Sequence, residues 1–215
     1  MADIEKILKQ MTLEDKIALC SGENFWETKV FERYGIPGLF MSDGPHGLRK
    51  QDVGKGTDML GVNESFPATC FPAEVTTASS WDVSLLEKIG EAIGKEAKSQ
   101  KVGLVLGPGA NIKRNPLCGR NFEYFSEDPY LTGKLAAAFV RGVEKQGIGS
   151  CLKHFACNSQ ERDRFTSDSM LMKSSAGGPL RSMQISGGIK GGLFEGLLEM
   201  ANGHFFKGLV RMLKK

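Results

Sequence analysis

Between Val83 and Gln100 the apolar residues Leu85, Leu86, Ile89, Ala92, Ile93 and Ala97 recur at the three- and four-residue spacing of one helical face. The stretch from Tyr130 to about Gln146 repeats that spacing and predicts a second amphipathic helix. Before each helix, and again after the second, the pattern turns into short continuous apolar runs. "GIPGLFMSDGPHG" (35–47) holds a strand over Leu39–Met41 that ends in a polar, glycine-rich turn. "VGLVLGPGANI" (102–112) reads as a buried strand leaving through glycines, and "GIGSCLKHFA" (147–156) as another. "SFPATCFPAE" (65–74) reads as a second short strand or a turn. Two short helices open the chain, the second started by a Thr12/Asp15 pair in capping-box spacing, and Asp82 is placed to cap the helix beginning at Val83.

Continuous apolar strands alternating with helices point to a parallel α/β architecture. In such folds ligands bind at the C-terminal ends of the strands. The residues gathered there are Asp43 and His46, then Asn111 to Arg120, then Lys153 and His154. They would form a polar cup of carboxylate, guanidinium, ammonium and imidazole groups. Sugar hydroxyls donate and accept, and such a cup satisfies both roles. The competing reading is structural, with Arg120 and Lys153 simply pairing with Glu123, Glu127 or Asp128.

Other chemistries fit less well. "GPGANI" (107–112) has Ile where a dinucleotide fingerprint needs its third glycine, and "GEAIGKE" (90–96) is one residue short of a P-loop and lies inside a helix. There is no G-x-S-x-G elbow. The three histidines are too scattered for a zinc spacing, so neither metal nor cofactor is expected. Cys157 follows His154 closely, but a strand-end cysteine among apolar neighbours reads as core.

A formal charge of +3 over 215 residues gives no basic face for nucleic acid. The odd number of cysteines, five, in no C-x-x-C spacing suits a reduced, cytoplasmic protein. The N-terminus lacks an apolar signal-peptide core, and no apolar run is long enough for a transmembrane helix.

The segment "KHFACNSQERDR" (153–164) resembles the K-H-F-A-x-N-x-Q-E-x-x-R motif of family-three glycoside hydrolases, the β-glucosidase and β-xylosidase group. "MSDGPHGLR" (41–49) resembles the family's first barrel motif, and residues 106–148 its G-R-x-x-E-x-x-S-E-D-P segment. "FPATCFPAEVTTASSWD" (66–82) lies between them in the expected place. The similarity runs from about Met11 to Met170.

The resemblance implies a partial (β/α)8 TIM-type barrel with about half of its strands. It also implies a β-glucoside or related sugar as ligand. Carried over by position, Asp43, Arg120, Lys153 and His154 would hold sugar hydroxyls, with Arg164 nearby, while Glu123, Ser126, Glu127 and Asp128 would form a hydrogen-bonded structural loop. The family's nucleophile is an Asp in an S-D-W-like motif on a later strand, and its acid/base is usually a Glu from a second domain. No carboxylate of this chain matches either: Asp82 follows its Trp and caps a helix, and "SDS" (167–169) lacks a preceding strand and helix. The expectation is therefore a truncated, β-glucosidase-like hydrolase with no catalytic residue of its own and little activity alone. The alternatives are a non-catalytic sugar-binding or interaction module, or a gene remnant without function.

The expected organisation is a barrel portion over 1–170, a glycine-rich linker over 171–192 and an amphipathic C-terminal helix over 193–215. In that last segment Leu193, Leu197, Leu198, Ala201, Phe205, Leu209 and Leu213 form an apolar stripe with a basic end. "PLRSM…SGG…EGLLEMANGHFFKGL" resembles, more weakly, the extreme C-terminus of some bacterial members of the family. A helix meeting a membrane or partner, or one covering the exposed barrel portion, are the other readings. An unclosed sheet has bare edges, and self-association is expected from them.

Overall fold

The computed structural model describes residues 4–52, 64–154 and 157–166. The elements follow in the order α1 (Ile4–Gln10), α2 (Leu13–Leu19), β1 (Met41–Asp43), α3 (Glu74–Ala78), α4 (Val83–Ser99), β2 (Leu104–Leu106), α5 (Pro129–Glu144) and β3 (Gly149–Ser150). The three strands make one parallel sheet in the order β1-β2-β3. Met41 lies opposite Leu104 and Asp43 opposite Leu106, while Leu104 and Val105 face Gly149 and Ser150. Each strand is joined to the next by a crossover containing helices, as parallel pairing requires.

Both long helices begin where the sequence places a cap. Asp82 accepts from the Ser84 and Leu85 amides at 2.8 and 3.1 Å. Asp128 does the same for Tyr130 and Leu131, with Pro129 in the first turn. These bonds satisfy amide donors that a helix start otherwise leaves without partners. The capping box at α2 is also formed: the Thr12 amide donates to Asp15 Oδ2 at 2.9 Å, and the Asp15 amide to Thr12 Oγ1 at 3.2 Å.

Helices α4 and α5 pack against the sheet through Ile89, Ile93, Phe139 and Val143, which meet Val105 and Ile148 in one buried cluster. They approach closely enough to require glycine at the crossing. A Cβ on Gly90 would stand 2.2 Å from the Phe139 carbonyl oxygen, and one on Gly142 would stand 2.1 Å from that of Glu87. On the outer side Lys145 pairs with Glu87 and Glu91, and Arg141 with Glu87.

The strands are shorter than the apolar runs suggest. Of 102–112 only Leu104–Leu106 is ladder, and of 147–156 only Gly149–Ser150. The first strand is Met41–Asp43 rather than Leu39–Met41. Beyond Leu106 the chain turns through a cis Gly107–Pro108 peptide while its side chains stay buried, so apolarity outlasts pairing. Residues 66–73 form no strand; Ser65 makes a single bridge to Gln51, and the Phe71 amide donates to the His46 carbonyl. The other edge of β1 is partly covered by an antiparallel bridge from Glu27 to Phe40. The expected linker over 171–192 and helix over 193–215 lie outside the described residues.

Candidate functional site: a polar cup at the strand ends

β1 ends on a charged residue of the cup, β3 leads into one, and the loop after β2 carries a third. Asp43 is the last residue of β1. Lys153 follows β3, and its backbone is held to the segment after β2: its amide donates to the Pro108 carbonyl at 3.0 Å and its carbonyl accepts from the Ala110 amide at 2.7 Å. Arg120 precedes a tight 3-10 turn, Asn121–Glu123, whose geometry sets Glu123 beside it.

These groups form one chain of contacts. Lys153 Nζ donates to Asp43 Oδ1 at 2.8 Å and lies 3.7 Å from Glu123 Oε2. Arg49 reaches the other Asp43 oxygen at 3.2 Å. Arg120 Nε pairs with Glu123, and its Nη2 lies 2.8 Å from His154 Nε2. The opposite ring nitrogen, Nδ1, lies 2.7 Å from the buried Tyr124 hydroxyl, which also accepts from Asn158 Nδ2 at 2.7 Å. Asn111, itself buried, donates to the Asn158 carbonyl at 2.8 Å. The Lys153–His154 peptide is cis.

The electrostatics follow from this packing. Burial pushes the Asp43 carboxyl up, but Lys153 and Arg49 outweigh it and hold the group below the usual carboxylate range. Burial, then the Arg120 and Lys153 cations, lower His154 to about 3, so its ring is neutral near pH 7. Burial raises Tyr124 to about 12. The cup therefore presents an ionised Asp43, the cations Arg49, Arg120 and Lys153, and a neutral imidazole.

Four of the five expected residues, Asp43, Arg120, Lys153 and His154, meet here. Arg164 touches none of them. It pairs with Glu161 at 3.0 Å and stacks on Phe165, and Glu161 in turn lies 3.9 Å from Arg120. Glu123, read from sequence as part of a structural loop, is the carboxylate that links Arg120 to Lys153. The internal pairing weighed against a ligand cup is thus real for Glu123, whereas Asp128 caps α5.

The sequence reading also missed the pair behind the cup. His46 Nδ1 lies 2.9 Å from Glu74 Oε2, whose other oxygen is buried without a hydrogen-bond partner among the described residues. Glu74 raises the His46 pKa, and burial raises that of Glu74. Their separation of 28 residues hides the pair from any local motif. Cys157 has its thiol pushed up by burial, which disfavours the thiolate a nucleophile needs. A separate open groove of about 590 Å3, lined by Val75, Trp81, Lys113, Phe125 and Glu127, includes none of the five residues.

Residues 12–167 match the model of the glycosyl hydrolase family 3 N terminal domain. The chain belongs to that family. A thermostable beta-glucosidase B of Acetivibrio thermocellus is 58% identical over 169 residues, covering 79% of this chain and 22% of that protein. An exo-alpha-(1->6)-L-arabinopyranosidase of Bifidobacterium longum is 48% identical over 164 residues, covering 76% of this chain and 22% of the relative. Among solved structures, beta-glucosidase 3B from Thermotoga neapolitana in complex with alpha-D-glucose superposes with a TM-score of 0.74 at 39% identity, over 86% of this chain and 27% of that one. The family 3 chain thus spans about a fifth of the length of the curated relatives it matches. The three parallel strands and their helices belong to the family's barrel-like N-terminal domain.

Proposed function

We propose that this family 3 chain carries part of a glycosidase sugar subsite, in which Asp43, Arg120, Lys153 and His154 hold the hydroxyls of a β-glucoside or related sugar. The observation that carries this reading is the convergence of those four side chains at the ends of three parallel strands, with donors left over. Arg120 spends its hydrogen bonds on Glu123 and His154, and Lys153 on Asp43, which leaves N–H groups on both for a ligand. Asp43, ionised and fixed by two cations, is suited to accept from adjacent hydroxyls. A glucose-bound structural relative and several beta-glucosidases in the family support the sugar class. Arg164 acts at one remove, through Glu161.

The proposal extends to chemistry and setting. Retaining hydrolysis needs two carboxyl groups roughly 5 Å apart, one of them a nucleophile. Asp43 and Glu123, the carboxylates facing the cup, are each tied to two cations. Binding without turnover is therefore the activity assigned to this chain alone. The cysteines of the described residues are free, which supports a reducing, cytoplasmic setting.

Calorimetric titration with glucose and with a cyclic imino-sugar tests the reading. Millimolar or tighter binding that is lost in Lys153→Ala supports a preformed subsite. No binding, or binding unchanged by the substitution, would leave the cup as an ion-pair network that only stabilises the fold.

A further inference from the structure

Hydrogen-bond polarity around His154 is fully determined by its neighbours. A guanidinium has five N–H groups and no acceptor, so Arg120 Nη2, 2.8 Å from His154 Nε2, can only donate to it. Nε2 must therefore carry a lone pair. In a neutral imidazole the single proton then sits on Nδ1. That proton meets the Tyr124 hydroxyl at 2.7 Å, and Tyr124 is in turn fixed by Asn158. Tyr124 is fully buried, and its ring meets that of His154 edge to face at 5.8 Å. Asn158 is held by Asn111 from the loop after β2.

The charged groups around the ring exclude the alternative of an imidazolium. Arg120 after β2, Lys153 beside the ring and Arg164 from the last described segment disfavour it, and together with burial they outweigh Asp43 at the end of β1, which favours it. A protonated Nε2 would point a hydrogen at a cationic N–H donor.

We infer that Tyr124 and Asn158 are positioning residues that hold His154 as the Nδ1-protonated neutral ring, so that the Nε2 lone pair accepts from Arg120 and fixes the guanidinium at the cup. The sugar consequence rests on the subsite reading above, whereas the protonation of the ring does not. The lone pair is spent on Arg120, so a ligand oxygen that reaches this edge meets the remaining Arg120 N–H groups and must accept from them. A hydroxyl oxygen accepts there, whereas a hydrogen in its place leaves a guanidinium N–H without a partner.

The test begins with the chain labelled with nitrogen-15 at histidine and long-range proton–nitrogen correlation spectra at pH 7 and about pH 5. His154, assigned by loss of its signals in His154→Gln, is expected to show a protonated Nδ1 and an unprotonated Nε2 at both values. A protonated Nε2, or two protonated nitrogens, would overturn the inference. Tyr124→Phe removes only the hydroxyl; its Nδ1 signal is expected to shift and exchange faster with solvent while amide spectra stay native, and an unchanged His154 pattern would remove Tyr124 from the role. Asn158→Ala gives a second reading of the same support should Tyr124→Phe fail to fold. Glucose analogues with one hydroxyl replaced by hydrogen then read the cup: one position is expected to lose roughly tenfold in affinity. Equal binding of every analogue would overturn the requirement for a ligand acceptor at Arg120. If glucose itself does not bind, the subsite reading falls, and the nitrogen spectra still decide the state of the ring.

Discussion

His154 and His46 respond to acid in opposite senses. His154 is lowered to about 3 by burial and by Arg120 and Lys153, so between that value and 6.5 the unfolded chain binds the proton and the folded one does not. Its contribution to stability is present above pH 6.5 and is lost as the pH falls toward 3. His46 is raised by Glu74, so its contribution is fully present below 6.5 and is lost as the pH rises through its folded value. Urea midpoints at pH 7 and pH 5 check both signs. His154→Gln is expected to lose less stability on acidification than the parent, and His46→Gln to lose more; parallel shifts in all three proteins would contradict both assignments. At this scale the sequence was legible where one residue type carries the chemistry at a strand end, as with Asp43 and Lys153. It was silent on Tyr124 and on the His46–Glu74 pair, because those roles come from folding together residues 28 and 30 positions apart.

At the level of elements, the crossing of α4 and α5 depends on two glycines that no helix propensity would favour. Because the Gly90 Cβ position lies 2.2 Å from a backbone oxygen, Gly90→Ala must separate the helices or bend them. A loss of about 2 kcal/mol is expected by urea denaturation, in the range for overpacked cores. Gly119, with nothing within 4 Å of its Cβ position, is the control, and Gly119→Ala is expected to change stability by less than about 0.5 kcal/mol. Asp82→Ala, which removes the acceptor for two amides, is expected to lower the urea midpoint. The helices and their caps were readable because period and cap are local properties of the chain. Strand lengths were not, since an apolar run registers burial, and pairing ends wherever the neighbouring backbone turns away, as it does after Leu106 and Ser150.

At the scale of the whole fold the governing feature is that the described residues form a three-stranded parallel sheet, in a family of barrel-like domains. The amides of Gly149 and Cys151 donate toward β2, to Gly103 and Val105, and that of Lys153 to Pro108. Those of Ser150 and Leu152 alternate with them and point to the opposite edge, where no strand pairs among the described residues. Such an edge is a template for another strand. The purified chain is therefore expected to associate with rising concentration in sedimentation velocity experiments. Amide exchange at Ser150 and Leu152 is expected to slow in step with association. A monomer at every concentration with fast exchange at both amides would show that an open edge does not drive assembly here. A monomer with both amides protected would instead assign the edge to the chain's own residues beyond 166. The two measurements together separate pairing between molecules from pairing within one, which mass alone cannot do.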